Sequence, residues 1–162
     1  MINKYFGGIV PEYKGRINDV DGNLEDLTKL TIESYERLMD DLKITDAIIQ
    51  VNELVNRANK YIDETEPWAL AKDPEKKANL ESVMVHLANT IYVAGMLMKP
   101  ILVTASDKLF DQLGVTGDLL NYDKINQYGV VSGLKVEKKD QLFPRLDAAV
   151  EVEFIQNLMA SK

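Results

Sequence analysis

Apolar positions along this chain recur at helical spacing, and no two neighbouring stretches alternate as a strand pair would. The clearest case runs from Thr45 to Thr65. There Ile44, Ile48, Val51, Val55, Ala58 and Ile62 follow at steps of four and three, which sets them on one stripe of a helix about 30 Å long. Upstream, a pattern from Leu24 to Leu42 spaces Leu27, Leu30, Tyr35 and Leu38 for one face. Downstream, Pro74 to Met98 carries Leu80, Val83, Leu87, Ile91 and Ala94 on an inner face, with Pro100 just beyond. A shorter helix is predicted from Leu102 to Leu113, stopped by Gly114, and a last one from Asp147 to Met159. Met1 to Phe6 reads as the end of a helix closed by Gly7 and Gly8, followed by a connector with Pro11, Gly15 and Gly22. Residues 114–144 hold Gly117, Gly129, Gly133 and Pro144 with weak periodicity, and are predicted to be mostly loop with short turns. The stripe on the 45–65 helix is expected to pack against the 74–98 helix in an all-α bundle of antiparallel neighbours.

The length of 162 residues fits one domain that buries ~70 % of its unfolded surface. With no cysteine, disulfides, thiolate zinc sites and cysteine nucleophiles are excluded. No apolar run is read as long enough to cross a membrane, and Met1 to Phe6 lacks the apolar stretch of a signal peptide, so a cytoplasmic location is the expectation. Net charge is −7, from 19 basic and 26 acidic residues. That argues against gripping nucleic acid mainly through its phosphates. Between residues 57 and 77 the basic Arg57, Lys60, Lys72, Lys76 and Lys77 are matched by Asp63, Glu64, Glu66, Asp73 and Glu75. Any RNA contact in this stretch should rest on stacking and hydrogen bonds.

Two local features stand out. Trp68 is the only tryptophan and follows Pro67 at the end of the 45–65 pattern. Proline disfavours the α conformation in the residue before it, so Glu66 is expected to be extended and the helix to stop there. The indole then sits at a helix mouth, either as a lid on the core or as a flat surface on which a base can stack. The second feature is the line Asn52, Asn56, Asn59 and Asp63, at steps of four, three and four beside the apolar stripe. Asparagine is a poor helix former, because its amide competes for backbone groups. Three on one line either pin the Pro67–Trp68 turn by hydrogen bonds or touch a ligand directly. Asn59 or Asp63 is expected to bond near that turn.

Other chemistries lack their residues. A di-iron bundle needs two Glu-x-x-His motifs, and His86 is the single histidine, expected to be a core or boundary residue. No Gly-x-Ser-x-Gly turn accompanies it, and Gly7-Gly8 is no phosphate loop. The chain alone is expected to hold no metal and to catalyse nothing.

At these residues the chain resembles the anticodon-binding domain of bacterial methionyl-tRNA synthetase. The core of the likeness is Asn59-Lys60-Tyr61-Ile62-Asp63, then Pro67-Trp68 and Leu70-Ala71-Lys72. It extends to Ile2-Asn3-Lys4-Tyr5-Phe6-Gly7-Gly8, Met98-Lys99-Pro100, Leu113-Gly114 and Leu142-Phe143-Pro144-Arg145. The resemblance implies a helical bundle of the class I aminoacyl-tRNA synthetase anticodon-binding type, one domain over residues 1–162, excised from a longer enzyme with its first helix truncated. It implies that Trp68 stacks on the cytosine of the CAU anticodon of tRNA(Met), that Pro67 sets the turn, and that Asn59 and Asp63 take part in anticodon recognition. The family's upstream Asn-Leu-x-x-Arg segment is not in this sequence. Neither is the parent's catalytic domain, with its ATP motifs and any zinc-binding knuckle. Such a parent ligates methionine to tRNA with ATP, and this module would place the anticodon for it. The alternative from another class is a stand-alone helical protein-interaction domain with Trp68 as its anchor.

Overall fold

The computed structural model describes residues 1–160. Its helices are α1 (Ile2–Phe6), α2 (Asp21–Asp40), α3 (Ile44–Thr65), α4 (Pro67–Leu70), α5 (Lys77–Met98), α6 (Val103–Leu113) and α7 (Ala148–Ala160). Single 3-10 turns cover Pro74–Lys76, Gly117–Leu120 and Tyr122–Asn126. No strand is formed among the described residues; one isolated bridge, Ile9 to Lys135, ties the connector after α1 to the loop before α7. The close approach there needs a glycine: at Gly114 (φ 72°) an added Cβ would lie 2.5 Å from the Lys135 carbonyl oxygen.

α5 is the axis of the bundle. Sixteen of its residues, from Leu80 to Leu97, are buried, because α2, α3, α4 and α6 all pack on it. By length and composition the segment Pro74–Met98 could span a membrane, which corrects the expectation that no such run exists. Its burial inside the bundle, 83 % of the apolar window, marks it instead as the core helix. It begins one turn later than expected, since Asp73 accepts from the Glu75 amide at 3.0 Å and stabilises a 3-10 turn first.

The helices stand where the pattern predicted, except that the short α4 was not expected, and two are rotated. On α3 the buried residues are Ala47, Val51, Leu54, Ala58 and Tyr61, so the stripe is turned by about one position. Of the expected set, Val51 and Ala58 are buried, Ile48 and Ile62 are half-buried, and Ile44 and Val55 are exposed. Val55 faces an apolar groove of about 340 Å³ between α3, α5 and α6, shared with Ile91, Met98 and Leu102. The same groove leaves Ile91 on α5 exposed, against its expected inner position. On α2 the buried face is Asp21, Leu24, Glu25, Thr28, Thr31, Ile32 and Tyr35, whereas Leu30 is exposed. Apolar counting misjudged α2 because half of its core face is polar and internally hydrogen-bonded; the Thr28 hydroxyl, for example, donates to the Leu24 carbonyl at 2.8 Å.

Candidate nucleic-acid interface

α3 ends in a turn one residue long. The Glu66 amide donates to the Ile62 carbonyl at 3.0 Å and closes α3, while the Glu66 carbonyl accepts from Ala69 at 2.7 Å and Leu70 at 3.2 Å and opens α4. Glu66 therefore serves both helices as a cap. To do so it adopts φ 42°, ψ 61°, the left-handed region, not the extended conformation expected before proline. Pro67 excludes the right-handed helix at Glu66, and only the left-handed alternative lets one residue finish one helix and start another. Pro67 takes the first helical position, where its missing N–H costs nothing, and is buried.

Trp68 comes next and is 47 % exposed. A lid on the core would be buried, so the lid reading is not what the structure shows. The indole is a half-open flat surface at the end of α3.

Asn52, Asn56, Asn59 and Asp63 are all exposed, and none of the four makes a side-chain hydrogen bond. The expectation that Asn59 or Asp63 bonds near the Pro67 turn is thus corrected. They project from the side of α3 opposite the core and leave the turn to be shaped by backbone geometry. Their donors and acceptors are free to meet something outside the chain.

Tyr61, between them in sequence, points the other way. It is fully buried, and its hydroxyl donates to Asp21 Oδ1 at 2.5 Å. Asp21, itself fully buried, also accepts from the Ser82 hydroxyl on α5 at 2.6 Å and from the Ile17 and Asn18 amides at 2.9 and 2.8 Å. Burial pushes the Asp21 carboxyl up, but these hydrogen bonds outweigh it and hold it below the usual carboxylate range. Burial and the Asp21 charge together push the Tyr61 phenol well up. One turn along α2, Glu25 accepts from Tyr13 at 2.9 Å, Arg16 at 3.1 Å and Lys29 at 2.9 Å. Burial opposes ionisation there too, and the three partners bring the carboxyl down to about 2. His86 completes the cluster: it is fully buried, Nδ1 lies 2.8 Å from the Ser82 carbonyl oxygen, and Nε2 lies 4.0 Å from Glu25. The expectation of a core histidine is met. Among the described residues no group of three or more His, Cys, Asp or Glu side chains is arranged to hold a metal.

Residues that counting along the sequence missed are Tyr61, Asp21 and Arg57. Arg57 pairs with Glu64 at 2.9 Å, its guanidinium 5.9 Å from the Tyr61 ring centre. A signal for Tyr61 was present, since it falls two residues from both Asn59 and Asp63 and so on the opposite helix face.

A family model described as the anticodon binding domain of methionyl tRNA ligase matches residues 10–161. The methionine–tRNA ligase of Bacillus subtilis is 41 % identical over 160 residues, covering 98 % of this chain and 24 % of that protein. That of Listeria monocytogenes is 44 % identical over 162 residues, covering 98 % and 24 %. The chain thus spans about a quarter of the length of these curated relatives. In shape it is similar to methionyl-tRNA synthetase of Mycobacterium tuberculosis in its apo form, with a TM-score of 0.82 at 21 % identity over 91 % of this chain and 30 % of the other. The complex of that synthetase with methionyl-adenylate gives 0.82 at 22 % identity over 90 % and 28 %.

Proposed function

Because the chain belongs to the family of anticodon-binding domains of methionyl tRNA ligase, we propose that the turn bearing Trp68 reads the CAU anticodon of tRNA(Met). In this reading the cytosine of CAU stacks on the Trp68 indole. Asn59 and Asp63 contact the loop directly through their unengaged amide and carboxylate, and Pro67 holds the turn. The domain makes no bond. It places the anticodon while a catalytic domain, outside this chain, activates methionine with ATP and transfers it to tRNA in the cytoplasm.

The observation that carries this reading is the half-exposed indole, locked at a helix mouth by a one-residue turn. On the outward side of α3, the helix that leads into this turn, Asn59 and Asp63 carry polar groups with no intramolecular hydrogen bond. An acidic domain that stacks rather than neutralises phosphates fits this arrangement. The test is titration of the chain's single tryptophan fluorescence with an RNA hairpin carrying CAU in its loop. Quenching is expected, and Trp68→Ala, followed by anisotropy of a dye-labelled hairpin because it has no tryptophan left, should weaken binding about 10- to 100-fold, since base–aromatic stacking is worth ~1–3 kcal/mol. An emission that ignores the RNA, or a Trp68→Ala chain that binds as tightly, would overturn the reading in favour of a protein-anchoring role for the indole.

A further inference from the structure

We propose that Tyr61, Asp21 and Ser82 form a registry lock that sets the rotation of α3 and through it aims Trp68, Asn59 and Asp63; the inference rests on the RNA-reading role of Trp68. The three residues come from α3, α2 and α5 and converge on one buried carboxylate. Tyr61 and Ser82 donate to different oxygens of Asp21, at 2.5 and 2.6 Å, so the carboxylate spans the two other helices like a fork. A donor that slips gives up a short bond to a buried charge: Oδ1 is then left with only Asn18 Nδ2 at 3.1 Å, and Oδ2 with the Asn18 amide groups and the Ile17 amide, so the helix position that keeps both hydroxyls bonded is favoured. Apolar contacts elsewhere on α3 impose no such condition. Ala47, Val51, Leu54 and Ala58 are apolar and carry no directional bond of their own, and the open groove beside Val55 and Ile91 leaves one flank of α3 without packing.

The lock lies where rotation matters. Tyr61 stands between Asn59 and Asp63, and two residues along a helix turn the direction by about 200°, so anchoring Tyr61 inward drives both neighbours outward. The Thr65 hydroxyl donates to the Tyr61 carbonyl at 2.7 Å, and Glu66 follows at once as the cap that opens α4. A turn of α3 is therefore transmitted through one residue to the indole. Asp21 also sits at the first turn of α2 and accepts from the preceding backbone amides, which fixes it independently of Tyr61. These are positioning residues, acting through Trp68, with no contact to RNA.

The experiment titrates the 162-residue chain with a dye-labelled CAU hairpin, reading affinity from the anisotropy of the dye and, with an unlabelled hairpin, the extent of Trp68 quenching at saturation, with thermal melts beside it. Tyr61→Phe removes only the hydroxyl. It is expected to melt cooperatively, to bind about tenfold more weakly, and to show reduced quenching even when saturated, which a general loss of stability would not produce. Ser82→Ala should act in the same direction, whereas Ser82→Thr, which keeps the hydroxyl, should restore both readings. A folded Tyr61→Phe chain with unchanged affinity and quenching would overturn the lock. If Tyr61→Phe does not melt cooperatively, the Ser82 pair decides by the same criteria, and unfolding of Ser82→Ala as well would show a stability role and overturn it too. Trp68→Ala in the same series separates the two ideas: if it binds as tightly as the parent chain, the RNA reading has failed, not the lock alone.

Discussion

At Glu66 the backbone holds a side chain in the left-handed region, where Cβ crowds the following carbonyl at a cost of about 1–2 kcal/mol. Glu66→Gly removes that crowding, and even after glycine's larger loss of freedom the chain should be as stable or up to about 1 kcal/mol more stable. Glu66→Val, with two branches at Cβ, should be less stable by at least as much. Thermal melts distinguish them, at about 2–4 °C per kcal/mol for a chain of this size. A glycine variant that melts well below the parent would show that the Glu66 side chain itself holds the turn. The existence of this turn was legible in the Glu66-Pro67-Trp68 run, but its conformation was not. Proline rules out one backbone region at the preceding residue and leaves two. The choice between them came from the requirement to close α3 and open α4 with no residue in between. The free state of Asn59 and Asp63 was likewise illegible, because a polar line on a helix looks the same whether or not a loop lies over it.

Among the elements, α2 illustrates what periodicity reads and what it does not. Its extent was legible to within a few residues, whereas its buried face was not, since Asp21, Glu25, Thr28 and Thr31 occupy positions that apolar counting leaves to solvent. α3 was rotated for a related reason: Ile44, Val55 and Ile62 are as apolar as the residues that are buried, and the neighbours, not the spacing, chose the stripe. The polar core face of α2 has a consequence in pH. Both Asp21 and Glu25 titrate lower in the folded chain than their usual values near 4, Glu25 at about 2. The unfolded chain thus binds more protons across that interval, and stability rises with pH there. The contribution is complete above about pH 5 and should be lost as pH falls from there toward 2. Tyr13, whose burial and bond to Glu25 push it up to about 12, works in the opposite sense. Its contribution is complete below about pH 9 and should fade as pH rises toward 12. Melting temperature against pH should form a plateau with both flanks falling, and Glu25→Gln should flatten the acid flank. Equal melting at pH 3 and pH 7 would contradict the assignment.

For the whole molecule, the all-α class and the order of helices followed from the spacing of apolar residues, and the comparisons agree with the family that Asn59 to Trp68 suggested. What the sequence could not convey is how unequally the helices contribute. α5 is buried almost throughout, whereas α7 has no buried residue, with Val150, Phe154, Ile155 and Leu158 all more than half exposed. Hydropathy alone ranks the two as similar. Shortening the chain to residue 147 should therefore leave the melting temperature of the bundle within a few degrees, while Leu54→Ala, at a fully buried site, should cost about 2–5 kcal/mol. A large drop on removing α7 would mean that it packs on the bundle in solution.

The one-residue junction at Glu66 also bears on how such a gene tolerates change. Adding a single codon between Tyr61 and Trp68 would keep the reading frame and hardly alter composition or hydropathy. It would nonetheless rotate everything beyond it by about 100° relative to the buried tyrosine. Most single-letter replacements on the exposed side of α3 leave that angle alone. The number of residues between Tyr61 and Trp68 is therefore as constrained as the identities of those two, and in-frame insertions and deletions there should be selected against more severely than substitutions on the exposed side of α3.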